Sequence, residues 1–143
     1  MRILIISILF LFSTLVINAQ EWQTDLEKCK EIAKENNRKI ILVFSGSDWC
    51  APCIKLKNKI WDSDEFTSYA KDNLVLLEAD FPRKKNNQLT KKQQEKNNQL
   101  AEEYNQSGFF PFVVVLDSSA KVLGTTGYKK VTPEEYIIIL TSF

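Results

Sequence analysis

Two cysteines with two residues between them, Cys50 and Cys53, are the side chains of this sequence best suited to chemistry. They follow a continuous apolar run at residues 39–45, which predicts a strand buried on both faces, and they open a predicted helix that continues to about residue 61. Cys50 would therefore lie at a helix N-terminus. Free backbone N–H groups and the helix dipole favour a thiolate there, and they lower the cysteine pKa below about 8.5.

The two sulfurs would have different tasks in thiol–disulfide exchange. Cys50 attacks a substrate disulfide and forms a mixed disulfide, and Cys53, deeper in the helix, resolves it and releases the reduced substrate. The same steps in reverse oxidise a dithiol. Pro52 fits the first helical turn, because the N–H that proline lacks would have no partner inside the helix.

The composition excludes several other kinds of catalysis. The chain has no histidine, which removes Cys–His and Ser–His–Asp catalysis and histidine-liganded metal chemistry. Lys and Arg number 19 against 18 Asp and Glu, so no overall charge favours nucleic acid as a partner. Any chemistry must use cysteine, carboxylates, lysine, tyrosine or the backbone.

The third cysteine, Cys29, shares an apolar helix face with Leu26 and Ile32, and we predict a buried, inert thiol. A structural zinc site needs four ligands, usually Cys or His, and the sequence does not supply them. We therefore predict no metal and no cofactor other than a redox-active disulfide between Cys50 and Cys53. A metal chaperone that uses these two cysteines and a carboxylate stays open as an alternative.

The first 19 residues have the pattern of a secretory signal peptide. Arg2 precedes an apolar run at residues 3–17, and Ala19 precedes a plausible cleavage point. We predict a signal peptide at residues 1–19 and one domain at residues 20–143, which carries no net charge. The protein would be exported to the periplasm or another extracytoplasmic space, where disulfides persist unless something reduces them.

Strands and helices alternate along the rest of the chain, which predicts an α/β fold with a mixed sheet and helices on both faces. The polar segment at residues 83–98 predicts a solvated loop that runs into a polar helix near Leu100, and a partner-binding role for it stays open as an alternative. The predicted helices cover residues 24–36, 50–61, 63–72 and the segment from Thr132, and the predicted strands cover residues 39–45, 75–80, 112–117 and 122–126.

The motif Trp49-Cys50-Ala51-Pro52-Cys53 resembles the active site of the thioredoxin superfamily. Two features later in the chain agree with this resemblance. Phe110-Pro111 stands at the position of the family's cis-proline, and residues 117–124 with Gly127 match the family's closing hairpin. The chain is most similar to exported bacterial thioredoxin-like proteins, which implies a thioredoxin-like fold.

The resemblance also implies which residues dock the substrate. Phe110 and Pro111 would pair with the substrate strand beside the disulfide, as in edge-strand peptide capture. Trp49 would shield the active-site sulfur and, with Ala51 and Pro52, complete the binding surface. The other two tryptophans, Trp22 and Trp61, lack this context and are predicted to pack in the core.

The sequence departs from the thioredoxin pattern near the motif. Phe44 stands where thioredoxins keep a buried Asp, so the proton relay to the resolving thiol is missing or supplied otherwise, with Glu78 and Asp80 nearby in the fold. Asp48 adjoins the motif and would either raise the Cys50 pKa or point into solvent, and we expect the second. The insertion at residues 83–98 lengthens a connection that is short in thioredoxin.

These observations predict a thiol–disulfide oxidoreductase that acts as a reductase of protein disulfides outside the cytosol. By resemblance, a membrane thiol donor would supply its electrons, and cytochrome c maturation is one candidate role. The alternative is a non-catalytic peptide-binding module with a structural disulfide.

Overall fold

The computed structural model describes residues 21–143. The predicted signal peptide at residues 1–19 lies outside the described residues. Among the helices of residues 21–143, none has the length and apolar character needed to cross a membrane.

A five-stranded mixed sheet forms the centre of the fold, in the order β1-β3-β2-β4-β5. The strands β1, β3 and β2 run parallel, whereas β4 pairs antiparallel with β2 and β5 pairs antiparallel with β4. The predicted mixed sheet is confirmed, with one short edge strand added. The strands are β1 (Trp22–Gln23), β2 (Lys39–Ser45), β3 (Leu74–Asp80), β4 (Phe112–Leu116) and β5 (Val122–Thr126).

Most helices begin at a side chain that caps their free N–H groups. Asp25 accepts a hydrogen bond from the Lys28 N–H, Ser63 caps α3, and Thr132 forms a capping box with Glu135. The helices are α1 (Leu26–Asn36), α2 (Ala51–Leu56), α3 (Asp64–Asn73), α4 (Lys91–Tyr104) and α5 (Pro133–Thr141), with a π-helical turn at Lys57–Trp61 after α2 and a 3₁₀ turn at Lys85–Asn87.

Strand β2 is buried on both faces, as its apolar run predicts. Its alternating side chains divide the core in two. Ile41 and Val43 pack against α2, α3 and α5, whereas Ile40, Leu42 and Phe44 pack against α1 and α4. Because the chain leaves β2 directly into the Cys50 motif, this doubly packed strand fixes the position of the motif.

The predicted solvated loop at residues 83–98 is wrong for its second half, because α4 already begins at Lys91. Thr90 caps this helix through the Gln93 N–H. The first half of its inner face is held by polar contacts: the buried Asn97 donates to the Asp80 carbonyl at 2.9 Å, and Lys96 pairs with Asp25. The sequence of this first half therefore lacks the apolar residues at helical spacing that would have indicated a helix.

Candidate active site

Cys50 and Cys53 form a disulfide at the N-terminus of α2, with their Cα atoms 5.2 Å apart. Cys50 is the N-cap residue, and its Sγ accepts a hydrogen bond from the Cys53 N–H at 3.3 Å. Gly46 fixes the motif from the other side, because its carbonyl accepts the Cys50 N–H at 2.9 Å and its N–H donates to the Cys53 Sγ at 3.5 Å. Each sulfur thus lies against a backbone donor that would stabilise negative charge after reduction.

The two sulfurs differ little in exposure in this disulfide form. Cys50 is 5% exposed and Cys53 is 3% exposed. The sequence predicts a larger contrast, with Cys50 accessible and Cys53 deep. Ala51 and Pro52, the two residues between the cysteines, are exposed.

Aromatic rings surround the motif on the side of the predicted docking residues. The Trp49 and Phe110 rings lie edge to face with centroids 5.5 Å apart, and Phe81 meets Phe110 at 5.6 Å. The Phe110–Pro111 peptide bond is cis, and Pro111 lines the same cavity as Cys53. The structure therefore brings Trp49, Phe110 and Pro111 together beside the disulfide.

Phe81 is a member of this cluster that the sequence pattern does not predict. Its carbonyl accepts the Trp49 Nε1–H at 2.7 Å, which fixes the indole over the motif. A Cβ atom at Gly46 would overlap that indole ring, so Gly46 also sets the position of Trp49. The available signal was that Phe81 directly follows β3, whose end lies beside the end of β2 in a parallel pair.

Asp48 does not point into solvent, and that expectation is wrong. Its carboxylate accepts the N–H groups of Arg83 and Lys84, each at 2.9 Å, and the side-chain amide of Asn87 at 3.0 Å. The hydrogen bond from the Arg83 N–H, together with those from Asn87 and Lys84, holds the pKa of Asp48 below its ordinary value. Asp48 therefore fastens the inserted segment to the motif.

A cavity of about 350 Å³ lies behind Cys53, and Glu78 is one of its walls. Burial raises the pKa of the Glu78 carboxyl above its ordinary value of 4.5, the charge of Asp80 raises it further, and Lys57 opposes both. Glu78 pairs in register with Val43, which also lines the cavity. Phe44 points into the opposite core, so the acid Glu78 lines this cavity from β3, and β2 supplies no acid to it.

The second nearby acid, Asp80, is committed to the loop before the motif. Its carboxylate accepts the Ser47 N–H at 2.9 Å and the Ser47 hydroxyl at 2.5 Å. It also accepts the Phe81 N–H at 2.9 Å. With three donors directed at it, Asp80 holds the turn before the motif in position.

Cys29 is fully buried in the core on the α1 and α4 face of the sheet, as predicted. Burial raises the pKa of its thiol to about 12, and the nearby Asp25 charge acts in the same direction. It contributes no sulfur to the disulfide site. No group of three or more Cys, Asp or Glu side chains among residues 21–143 is arranged to hold a metal ion.

Comparisons with known proteins identify the family of this chain. A family model described as Thioredoxin-like matches residues 21–118. The chain is 37% identical over 109 residues to the disulfide bond reductase DsbH of Chlamydia pneumoniae, which covers 76% of this chain and 63% of that protein. The chain thus spans less than two thirds of that relative's length.

Solved structures give the same fold. The structure of a DsbH oxidoreductase matches with a TM-score of 0.79 and 32% identity, over 87% of this chain and 83% of that chain. A thioredoxin from Thermus thermophilus matches with a TM-score of 0.63 and 13% identity, over 87% of this chain and 86% of that chain, which shows the fold alone. The α/β fold is therefore thioredoxin-like, and the chain belongs to the Thioredoxin-like family.

Proposed function

We propose that this protein is a thiol–disulfide oxidoreductase that reduces protein disulfides outside the cytosol through Cys50 and Cys53. The observation that carries the proposal is the Cys50–Cys53 disulfide at the start of α2, with the Cys53 N–H directed at the Cys50 sulfur. The similarity to a protein named disulfide bond reductase supports the direction of the reaction. The apolar segment at residues 1–19 supports export.

The reaction proceeds in two exchanges that transfer one electron pair. The Cys50 thiolate attacks a substrate disulfide, and one substrate sulfur leaves as a thiolate. The Cys53 sulfur then loses its proton and attacks Cys50, which expels the second substrate sulfur and forms the Cys50–Cys53 disulfide. The substrate has gained two electrons, and a thiol donor, which we place in the membrane, must reduce the protein again.

The substrate docks on the surface around the disulfide. Trp49 and Phe110 supply an aromatic wall, Ala51 and Pro52 form the exposed rim, and the backbone beside Pro111 borders the sulfurs. This surface is apolar and lies where a substrate strand must pass to place its own sulfur near Cys50.

Reduction of insulin by dithiothreitol tests the proposed function. The wild-type protein is expected to accelerate the reaction well above dithiothreitol alone. Cys50→Ser serves as the blank, because it lacks the sulfur that would attack the substrate disulfide. Equal rates for the active protein and the blank would favour the alternative, a peptide-binding module with a structural disulfide.

Glu78 is expected to accept the proton of Cys53 during the second exchange, because it faces the cavity behind that sulfur and its raised pKa places it closer to the working pH. We expect Glu78→Gln to slow the resolution of a preformed mixed disulfide about a hundredfold, at the lower end of general-base effects. Stopped-flow kinetics between pH 5 and 8 would measure it, and the rise of the wild-type rate with pH should flatten in the variant.

The stability of the same variant provides an independent check. A carboxyl whose pKa is raised in the folded state stabilises the fold fully below its unfolded pKa, and this contribution is lost as the pH rises through the folded pKa. Wild type should therefore lose stability relative to Glu78→Gln as the pH rises from 4.5. Glu65→Gln, an exposed position on α3, is the matched control. A resolution rate equal to wild type would remove Glu78 from the mechanism.

A further inference from the structure

The segment that follows β3 carries a concentration of positive charge beside the disulfide. Residues 83–98 contain six basic residues and one acidic residue, Glu95, in a chain whose total charges nearly cancel. The first three, Arg83, Lys84 and Lys85, are consecutive and exposed. We call them the basic loop. Within the described part of the chain, residues 21–143, none of the three forms an ion pair.

The basic loop is held against the active-site motif by specific contacts. The Asp48 carboxylate, two residues before Cys50, accepts the N–H groups of Arg83 and Lys84 at 2.9 Å. The Arg83 guanidinium stacks over the Trp49 ring, with its Cζ 3.6 Å from the ring centroid. The two residues before Cys50 therefore hold the backbone of the basic loop and the Arg83 guanidinium beside the motif.

The acids near the loop leave its positive side chains available to a partner. Asp48 is directed at backbone N–H groups of the loop and at Asn87, and Asp80 is directed at the Ser47 turn and the Phe81 N–H. Their carboxylates bind the backbone that shapes the site. The exposed side chains of Lys84 and Lys85 thus stay available to a partner, whereas the Arg83 guanidinium lies on the Trp49 ring.

We propose that the basic loop binds an acidic segment of the disulfide-bearing protein that Cys50 attacks. This inference rests on the proposed function and names the class of its substrate. A protein is the partner that this site fits, because the loop is fastened to a motif whose reaction requires a disulfide. Exposed charges of this kind raise the association rate at low salt and lose their effect as salt screens them.

Two peptides with the same disulfide and the same length, one with three Glu beside it and one with three Gln, provide the test. Wild type is expected to reduce the acidic peptide about tenfold faster in kcat/KM at low ionic strength, and this ratio should approach one at 0.5 M salt, where the Debye length is only about 4 Å. Lys84→Gln/Lys85→Gln should lower the ratio to about two at low ionic strength, because the variant removes two of the three charges that attract the acidic peptide.

The control is Lys34→Gln/Lys71→Gln, which changes the net charge equally. Both lysines are exposed in the last turns of α1 and α3, at the end of the sheet where β2 and β3 begin, opposite the motif. The ratio should stay at its wild-type value in this control. A ratio that falls equally in both double variants would show a general charge effect and overturn the basic loop as the binding site.

Asp48→Ala tests whether the position of the basic loop matters in addition to its positive charge. It removes three hydrogen bonds to the loop and leaves every lysine in place, so we expect a lower ratio. A purely electrostatic effect would instead raise the ratio, because a negative charge is lost, and this result would overturn the inference. Equal reduction of both peptides by wild type would also overturn it, with the reductase intact. Failure to reduce either peptide would contradict the proposed function itself.

Discussion

Replacing Cys53 by Ser is expected to stop turnover while Cys50 still captures its substrate as a mixed disulfide. The first exchange needs only the Cys50 thiolate, which keeps its position as N-cap of α2. The second exchange needs the Cys53 sulfur, which lies three residues further along the same turn. A serine oxygen cannot displace the substrate sulfur, so the covalent adduct should persist.

The measurement is the multiple-turnover rate with insulin, followed by non-reducing gels and mass spectrometry of the adduct. Cys53→Ser and Cys50→Ser should each lower the rate by on the order of 10³-fold or more, as expected when a member of a concerted nucleophilic unit is removed. Only Cys53→Ser should accumulate a covalent adduct, and trapping in cells would then identify the natural substrate.

Cys29→Ser is the matched control for both variants. Cys29 is buried on the other side of the sheet and its thiol pKa is raised to about 12, so it offers no thiolate to a substrate. Its replacement should leave turnover and adduct formation at wild-type levels once stability is accounted for. An adduct of equal yield with Cys50→Ser would place the nucleophile elsewhere and contradict the assigned roles.

The elements that carry the motif could be predicted from the sequence because each has a local cause. The apolar run of β2 has the predicted bounds, residues 39–45, since a strand packed on both faces needs apolar residues at every position. The last helix begins where Pro133 and the Thr132 cap indicate. Cys50 at a helix start follows from these same local rules.

The parts that could not be predicted depend on polar contacts between segments distant in the chain. The helix α4 is held by Asn97 and Lys96, whose partners lie on β3 and before α1, so no apolar period marks it. Asp48 binds backbone groups about 35 residues away, and a backbone donor has no signature in sequence. Strand β1 is two residues long, too short for any pattern.

Glu78 is an intermediate case. The sequence indicates an acid near the resolving cysteine, and strand alternation alone does not say which face of β3 it occupies. Its register with Val43 places it on the cavity face, opposite to Phe44. The cavity thus receives a carboxyl group from β3, and this position of Glu78 follows only from the pairing of β2 with β3.

The aromatic cluster below this cavity should dominate the stability of the fold. Trp61, only 5% exposed, meets Phe66, Tyr136 and Trp22 edge to face, with ring centroids 4.7, 5.3 and 5.8 Å away. Its burial confirms the predicted packing role. We expect Trp61→Ala to lower the free energy of unfolding by about 3–5 kcal/mol, the range measured when large buried aromatics are truncated.

Urea unfolding of the disulfide form would measure this loss, with Phe109→Ala as the control for an aromatic that is 61% exposed and should change stability by less than about 0.5 kcal/mol. Trp61→Phe should recover part of the loss, because a smaller ring still fills most of the space. Trp61 also lines the cavity behind Cys53, so Trp61→Ala enlarges that cavity as it weakens the core. A loss below about 1 kcal/mol would mean that the surrounding rings collapse into the space, and the cluster would then not be the stabilising base of the site.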